Sequence, residues 1–285
     1  MLITSVGGRN KVKKVAVIGD NCVDYYSNLN RYYLTGNVVD TGINLAHLGI
    51  PTSIITTVAD DEYGVEMLRC FRDQGLDVSH VRVEHGKTAI THMQLIDGER
   101  IHGDYLEGVL ENITFNPDDI SFAASHVLVH SAFWGKAETA LTDIKKMNPD
   151  ILVSFDFADR LDSSMVEQMN PVVDIGFFSY ESKDEYIIQY LKERIQNGMK
   201  IAIATFGENG SMAVTEDAIY EAGIVKAEVV NTVGAGDSFI AGFITEYLRS
   251  GQIERSLQKG AEVAAEIISI FEPWQDKKEI NKIER

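Results

Sequence analysis

Residues 231–239 read NTVGAGDSF, and this stretch decides how the second half of the chain is organised. A strand-like apolar segment at 227–230 precedes it, and apolar residues recur at helical spacing after it until Gly251. The glycines therefore lie where a strand turns into the N-terminus of a helix. Small residues there let backbone N–H groups approach an anion, and the helix dipole favours negative charge. The stretch predicts an anion site beside the Asp237 carboxylate.

The residues alone leave two interpretations of this loop. In the first, Asp237 aligns an alcohol and accepts its proton, while residues 234–236 stabilise the charge of a phosphoryl group in transfer. In the second, the glycines only allow close packing and Asp237 only caps the helix. The chain contains neither a Gly-x-x-x-x-Gly-Lys-Ser/Thr loop nor a glycine-rich dinucleotide fingerprint after its first strand. Phosphate binding would therefore depend on this loop.

Outward from this stretch, short apolar segments alternate with helical patterns. The patterns predict strands at 15–18, 53–58, 127–130, 151–155, 175–178 and 201–205, and helices at 43–49, 63–74, 138–146 and 185–197. This alternation is typical of an α/β fold, in which helices cover both faces of a parallel sheet.

A second, smaller sheet is predicted in the first half of the chain. Residues 88–96 and 100–105 alternate with a period of two around Asp97-Gly98, which indicates a β-hairpin. We expect a single domain over residues 1–285, with a β lid from about 25–36 and 88–106 inserted in it. The residues before Val15 are expected to be an extension, and those after Trp274 a solvated helical end.

The acidic composition of the chain narrows its partners. It has 285 residues, 45% of them hydrophobic, and 26 Lys and Arg against 43 Asp and Glu give a net charge of −17. Such a field repels nucleic acid and anionic membranes, so we expect neither as a partner. No apolar segment is long enough to span a bilayer and no signal peptide precedes the first one, so a cytoplasmic location is expected. The two cysteines are expected to be reduced thiols.

The stretch at 231–239 resembles the C-terminal signature of the PfkB carbohydrate kinase family, the ribokinase-like kinases. That signature is Asp-Thr-x-Gly-Ala-Gly-Asp-x-Phe, and the chain matches every fixed position but the first. The resemblance extends from Val15 to about Trp274. It implies a ribokinase-like three-layer sandwich with a mostly parallel central sheet, a small β-sheet lid over a sugar, and ATP with Mg²⁺ as cofactors. It also implies a catalytic base at Asp237 and an anion hole at Gly234, Ala235 and Gly236.

Other segments resemble further motifs of this family. Residues 205–210, TFGENG, resemble its nucleotide loop, which implies contacts with ATP from Thr205, Gly207 and Gly210 together with Asn231 and Gly236. Residues 35–40, TGNVVD, resemble its sugar motif Gly-Gly-Asn-x-x-Asn, and residues 19–24, GDNCVD, end on the aspartate that binds sugar hydroxyls. The resemblance therefore implies that the sugar is bound by Asp24, Gly36, Asn37 and Asp40.

Three departures from these motifs bear on the chemistry. Asn231 stands where many members have an aspartate that helps to bind a monovalent cation, so dependence on that cation is left open. Thr35 and Asp40 replace a glycine and an asparagine of the sugar motif. The metal motif Asn-x-x-Glu is replaced by Ser-Tyr-Glu-Ser at residues 179–182, which leaves Glu181 or Asp184 to organise the water of Mg²⁺.

Two further segments resemble the fructoselysine 6-kinase branch, which phosphorylates the 6-hydroxyl of an adduct between glucose and an amino acid. They are GDYLEGV at 103–109 and HSAFWGKAE at 130–138. Such a substrate carries a protonated amine, which acidic and aromatic side chains suit. The residues expected to line the substrate are Tyr105, Trp134, Asp156 and Arg160. From the residues alone, Trp134 is equally consistent with packing, and Asp156 with Arg160 is equally consistent with a structural ion pair.

The acceptor and even the activity have alternatives. Another sugar, a sugar acid or a nucleoside would suit the same fold as acceptor. Measuring ADP release with each of these compounds would distinguish between them. A catalytically weak ligand-sensing paralogue is the alternative from another class, and the departures at Asn231 and at 179–182 favour it. The intact Asp237 and its glycines favour a kinase. The resemblance also implies a homodimer that forms through the lid.

Overall fold

A nine-stranded sheet forms the centre of the computed structural model, which describes residues 13–96 and 99–275. Its strand order is β13 (Ile219–Ala222), β12 (Ser211–Val214), β11 (Ile201–Thr205), β10 (Ile175–Ser179), β9 (Leu152–Asp156), β8 (Leu128–Ala132), β1 (Val15–Ile18), β4 (Thr52–Ala59) and β5 (Asp77–Glu84). Neighbouring strands from β11 to β5 are parallel, and β12 and β13 complete the edge in antiparallel pairing. The predicted mostly parallel sheet is confirmed.

Helices cover both faces of this sheet. The sequence of β1 shows why, because Val15 and Val17 pack into one hydrophobic cluster while Ala16 and Ile18 pack into the other. One cluster is covered by α3 (Pro117–Ala124), α4 (Glu138–Met147), α5 (Ser164–Met169) and α6 (Glu185–Gln196). The other is covered by α1 (Asn37–His47), α2 (Glu62–Gln74), α7 (Ala235–Ser250) and α8 (Ile253–Ile267). The result is the predicted three-layer sandwich.

A separate four-stranded sheet lies beside the sandwich. Its order is β3 (Arg31–Thr35), β2 (Cys22–Tyr26), β6 (Ile90–Ile96) and β7 (Glu99–Leu106). Strands β6 and β7 are antiparallel, as the hairpin pattern predicts. The turn predicted at Asp97-Gly98 lies outside the described residues. The extension predicted before Val15 and the helical end predicted after Trp274 also lie outside them, apart from Lys13, Lys14 and the residue at 275.

The small sheet is anchored to the sandwich by aromatic side chains. Tyr26 and Tyr33 join their hydroxyls by a hydrogen bond of 2.9 Å, and both rings contact Phe271 at centroid distances of 6.0 and 6.1 Å. Val233, from the loop before α7, packs into the same cluster. The sheet therefore touches the loop that leads to Asp237, rather than standing free of it.

Several elements differ from the expectation. Residues 227–230 form no strand: Val229 and Val230 are exposed, and the N–H of Val230 donates to Ile268 O beside α8 instead of to a sheet edge. Helix α1 begins at Asn37, before the predicted start at 43, and Val38, Val39, Asp40 and Thr41 are buried in this earlier part of it. The half-exposed β5 and the edge strands β12 and β13 were not predicted.

The remaining expectations from composition concern thiols and membranes. Cys22 and Cys70 are not joined in a disulfide, as expected. Within residues 13–96 and 99–275, none of the helices has the length and apolar character needed to cross a bilayer.

Replacement of Phe243 by Ala tests the packing of α7 on the sheet. The Phe243 side chain is fully buried and lies edge-on to Phe177, with ring centroids 5.5 Å apart. The cavity left by Phe243→Ala should lower the free energy of unfolding by about 3–5 kcal/mol, as measured by chemical denaturation. Val65→Ala on α2 is the control, since Val65 is 64% exposed. Equal stability of the two variants would contradict this packing.

Candidate active site

Two strand ends and two helix N-termini converge on one side of the sheet. Asp20 follows β1 and Asp156 ends β9, so both lie at the carboxyl ends of parallel strands. Asn37 begins α1, and Asp237 lies in the first turn of α7. Asn37 Nδ2 lies 3.4 Å from Asp237 Oδ1, and the backbone N–H of Asn37 donates to Asp20 Oδ2 at 3.0 Å. Asn37 therefore links the carboxylates of Asp20 and Asp237.

Asp237 has the environment of a base. It is only 9% exposed, and burial raises the pKa of its carboxyl well above the ordinary value. The negative charges of Asp156 and Asp20 raise this pKa further, while the hydrogen bond from Asn37 opposes the rise. A raised pKa makes the carboxylate a better proton acceptor than an exposed aspartate. The role of Asp237 as the catalytic base stays a prediction, and the raised pKa is the property that this role would use.

Asp40 lies beside Asp237 and is held by Thr35. The hydroxyl of Thr35 donates to Asp40 Oδ2 at 2.6 Å, while Asp40 Oδ1 is buried with no hydrogen-bond partner among the described residues. Burial raises the pKa of Asp40, and the charge of Asp237 raises it further. The two residues that depart from the sugar motif are therefore coupled, because the Thr35 hydroxyl donates to the Asp40 carboxyl.

Asp20 is a site residue that the sequence reasoning missed. Its Oδ2 accepts a backbone hydrogen bond from Asn37, and its Oδ1 is buried with no partner among the described residues. Burial raises the pKa of Asp20 itself, and its charge raises the pKa of Asp40, Asp156 and Asp237. Its position directly after a buried parallel strand could have identified it from the sequence, because ligands bind at the carboxyl ends of such strands.

Asp156 and Arg160 do not form the structural ion pair that was one of the alternatives. Arg160 Nε pairs instead with Asp159 Oδ1 at 3.2 Å, and Asp156 Oδ1 accepts from the N–H of Ala158 at 2.9 Å. Burial raises the pKa of Asp156 to about 6, and the charge of Asp20 contributes to the rise. The Arg160 guanidinium lies 5.9 Å from the ring centroid of Trp134, which is 40% exposed. Trp134 is therefore not a core residue.

The other expected substrate residues lie on the small sheet and at the start of α1. Tyr105 is on β7, where burial and the charges of Cys22 and Asp20 raise the pKa of its hydroxyl. Asp24 is on β2, and its charge raises the pKa of Asp40. Gly36 immediately precedes α1. Asp24 therefore interacts electrostatically with Asp40, and Tyr105 with Asp20.

The two segments that resemble the fructoselysine 6-kinase branch contact each other. Lys136 Nζ donates to Glu107 Oε2 at 2.7 Å and to the carbonyl oxygens of Leu110 and Glu111 at 3.2 and 3.1 Å. Lys136 therefore ties the loop after β8 to the chain that leaves the small sheet.

A cavity of about 590 Å³ lies next to the N-terminus of α7. It is bounded by the expected nucleotide residues Thr205, Gly207, Gly210 and Gly236, by Ala235, and by apolar side chains from α8. Asn231 is not in its wall: the Asn231 amide donates to Phe271 O at 2.6 Å, and Thr232 lines the cavity in its place. The shape and mostly apolar wall suit a flat base at one end and an anion at the helix start.

The candidates for organising a metal lie beside this cavity. Glu181 is exposed just after β10, and the N–H of Tyr180 donates to Thr205 O at 3.0 Å, so this loop adjoins the nucleotide loop. Asp184 caps α6 by accepting from Ile187 N at 3.0 Å. Residues 13–96 and 99–275 contain no cluster of three or more His, Cys, Asp or Glu that could hold a metal. A single carboxylate nevertheless suits Mg²⁺, which in such sites binds mainly to phosphates and water.

The glycines before α7 have different constraints. Gly234 has a φ of 70°, and a Cβ there would lie 2.7 Å from Pro273 O. A Cβ on Gly236 would meet no atom within 4 Å, because Gly236 faces the open cavity. Gly234 is therefore needed for the turn, and Gly236 for the space in front of the helix.

Comparison with known proteins decides the family. Residues 35–272 match the pfkB family of carbohydrate kinases. The chain belongs to this family. The kinase is 35% identical to the fructoselysine 6-kinase of Escherichia coli (strain K12), over 92% of this chain and 100% of that protein. It is 29% identical to the fructosamine kinase FrlD of Bacillus subtilis (strain 168), over 90% and 92% of the two chains.

A solved structure agrees with this fold. Arabidopsis thaliana ribokinase, complexed with ribose and ATP, superimposes on the kinase with a TM-score of 0.82, at 18% identity and over 96% of this chain and 99% of that one. The expected ribokinase-like fold and the resemblance to the fructoselysine 6-kinase branch are confirmed.

Paired glycine variants separate the turn from the cavity. Gly234→Ala should lower the melting temperature, because it adds about 1–2 kcal/mol of left-handed backbone strain and a contact with Pro273. Gly236→Ala should keep the melting temperature and reduce turnover, because its methyl group enters the cavity. Thermal unfolding and steady-state kinetics check both variants. A melting temperature lowered equally by both would contradict the distinction.

Proposed function

We propose that this kinase transfers the terminal phosphoryl group of ATP to the 6-hydroxyl of fructoselysine or a related fructosyl amino acid. The observation that carries the reaction is the buried Asp237 at the start of α7, between the 590 Å³ cavity and the carboxylates of Asp20 and Asp156. The identity to fructoselysine 6-kinase supports the choice of acceptor.

Asp237 performs the proton transfer in this proposal. Its carboxylate accepts the proton of the substrate hydroxyl while the hydroxyl oxygen attacks phosphorus, and the bond from phosphorus to the leaving ADP oxygen breaks. Backbone N–H groups at the start of α7 stabilise the phosphoryl oxygens, since they have no partner within the helix. Mg²⁺ bound to the phosphates would neutralise part of their charge, and Glu181 is the residue proposed to orient its water.

The charge of the site favours a cationic acceptor. Among the described residues, Asp20, Asp40, Asp156 and Asp237 have no ion pair with Lys, Arg or His. Burial raises the pKa of all four carboxyls, and the charges of neighbouring carboxylates raise the pKa values of Asp40, Asp156 and Asp237 further. The protonated amine of a fructosyl amino acid relieves the repulsion between these charges, whereas a neutral sugar does not. The exposed Trp134 offers a face to the same cation.

We further propose that the small sheet covers the bound sugar. Two electrostatic interactions support this proposal: burial and the charge of Asp20 raise the pKa of Tyr105 on β7, and the charge of Asp24 on β2 contributes to the raised pKa of Asp40. Dimerisation through the sheet stays a prediction. The exposed side chains of Ile101 and Leu106 on β7 are consistent with it.

A panel of acceptors tests the proposal together with a variant of the base. ADP release should be fastest, by kcat/KM, with fructoselysine or another fructosyl amino acid, and slower with fructose, ribose, ketodeoxygluconate and nucleosides. Asp237→Asn should reduce kcat by roughly 10²–10⁴-fold while ATP still binds, because the isosteric amide cannot accept the proton. Calorimetry measures ATP binding. Preference for ribose or a nucleoside would contradict the proposed acceptor. Near-normal turnover of Asp237→Asn would contradict the assignment of Asp237 as the base. ATP binding without phosphoryl transfer to any acceptor would support a ligand-sensing paralogue.

The pH profile of kcat/KM tests the environment of Asp237. The base must be ionised, so kcat/KM should rise with pH through the pKa of Asp237, on a limb above the ordinary aspartate range. Asn37→Ala removes a hydrogen bond to the ionised form, so the limb should move to higher pH. Asp156→Asn removes a nearby negative charge, so the limb should move to lower pH. A profile that stays in place in both variants would contradict this assignment.

A further inference from the structure

The side chain of Asn231 joins the loop before α7 to the segment after α8. Asn231 Nδ2 donates to Phe271 O at 2.6 Å, and Asn231 Oδ1 accepts from Val233 N at 3.2 Å. The backbone N–H groups of Val230 and Asn231 donate to Ile268 O at 2.8 and 3.2 Å. The Asn231 side chain and the backbone N–H groups of residues 230 and 231 thus join the loop before α7 to the segment after α8.

This junction supports the start of α7. Two residues beyond Phe271, Pro273 packs against Gly234, where a Cβ would come within 2.7 Å of Pro273 O. Pro273 O also accepts from Asn44 Nδ2 of α1 at 3.3 Å. A shift of the segment at 271–273 would therefore move both the turn before Asp237 and the helix that carries Asn37 and Asp40.

The neighbours of Asn231 decide which end of its amide faces Phe271. The N–H of Val233 can only donate, so it requires the oxygen Oδ1. The carbonyl of Phe271 can only accept, so it requires the nitrogen Nδ2. One orientation of the amide satisfies both groups, and the opposite orientation satisfies neither.

These residues do not fit the monovalent cation that the fold family implies beside the anion site. Such an ion needs oxygen atoms directed at one point, as when carbonyl oxygens replace the water around K⁺. Here the carbonyl oxygen of Phe271 already accepts a hydrogen bond, and the group facing it is an N–H rather than a carboxylate oxygen. An N–H donor repels a cation, so the departure at Asn231 removes a ligand and adds a competing partner.

We infer that the Asn231 amide replaces a monovalent cation as the link between the loop before α7 and Phe271, so phosphoryl transfer by this kinase is independent of K⁺ and Na⁺. Asn231 is a positioning residue in this inference, because it acts through the loop and contacts neither acceptor nor phosphate. The activity part of the inference rests on the proposed function.

Asn231→Asp tests the inference with an isosteric change. It places a carboxylate oxygen against Phe271 O, where the amide nitrogen lies 2.6 Å away in the wild type, and two acceptors so close repel unless both bind the same cation. With tetramethylammonium as the cation, Asn231→Asp should lose roughly tenfold or more in kcat, and K⁺ should restore it, while KM for the acceptor changes little. The wild type should keep its kcat in K⁺, Na⁺ and tetramethylammonium at equal ionic strength.

Two further variants serve as controls. Asn231→Ala removes the link and supplies no ligand, so its kcat should fall and no cation should restore it. Asn112→Asp makes the same chemical change at an exposed position after β7, and it should match the wild type under every cation.

Thermal unfolding provides a readout that needs no turnover. The melting temperature of Asn231→Asp should rise with K⁺ concentration and not with tetramethylammonium, because an ion that binds the folded state stabilises it. The melting temperature of the wild type should not distinguish the two cations. This result would stand even if no acceptor in the panel were phosphorylated, in which case only the proposed function would fail. A wild type that requires K⁺, or an Asn231→Asp variant indifferent to K⁺ in both readouts, would overturn the inference.

Discussion

The turn at Gly234 is the constraint on which the site depends. Its left-handed backbone and its close approach to Pro273 fix where α7 begins, and the start of α7 fixes Asp237. From that point the helix presents its N-terminus to the cavity on one side and its aspartate to the strand ends on the other. Because Pro273 also contacts Asn44 of α1, the same point sets the distance between the two helices that supply Asn37 and Asp237.

The site holds more negative charge than a kinase base requires. A carboxylate buried without a partner costs free energy, and each further carboxylate nearby adds to that cost. The chain tolerates the cost because backbone N–H groups bind Asp20, a hydroxyl binds Asp40, and Asn37 binds Asp237. These donors are neutral and leave the negative charge of the carboxylates in place, which is the basis of the proposed preference for a cationic acceptor.

Local patterns in the sequence were enough to predict the parts of the molecule that depend on local structure. The glycine stretch predicted the start of α7, and the alternating hairpin pattern predicted β6 and β7. The prediction of a strand at 227–230 was wrong, because apolar composition does not show whether a sheet edge is close enough to pair with. Here the carbonyl oxygen of Ile268 accepts the hydrogen bonds from the N–H groups of Val230 and Asn231. Strand β5 was not predicted. It is half-exposed and contains many polar residues, so it lacks the continuous apolar segment that marked the other strands.

Contacts between particular side chains could not be predicted in this way. The pairing of Arg160 with Asp159 instead of Asp156 depends on side-chain directions at the end of β9. The hydrogen bond between Thr35 and Asp40 joins two positions that looked like separate departures from a motif. Asp20 was within reach of sequence reasoning, since a carboxylate directly after a buried parallel strand lies where such sheets bind ligands.

The ion pair between Lys136 and Glu107 has a consequence for chimaeric kinases. It joins the chain leaving the small sheet to the loop that carries Trp134, although the two segments are far apart in sequence. A small sheet exchanged without this loop would deprive the Lys136 ammonium of its carboxylate, and a loop exchanged without the sheet would leave Glu107 without its cation. An exchange that keeps the ion pair therefore has to include both segments.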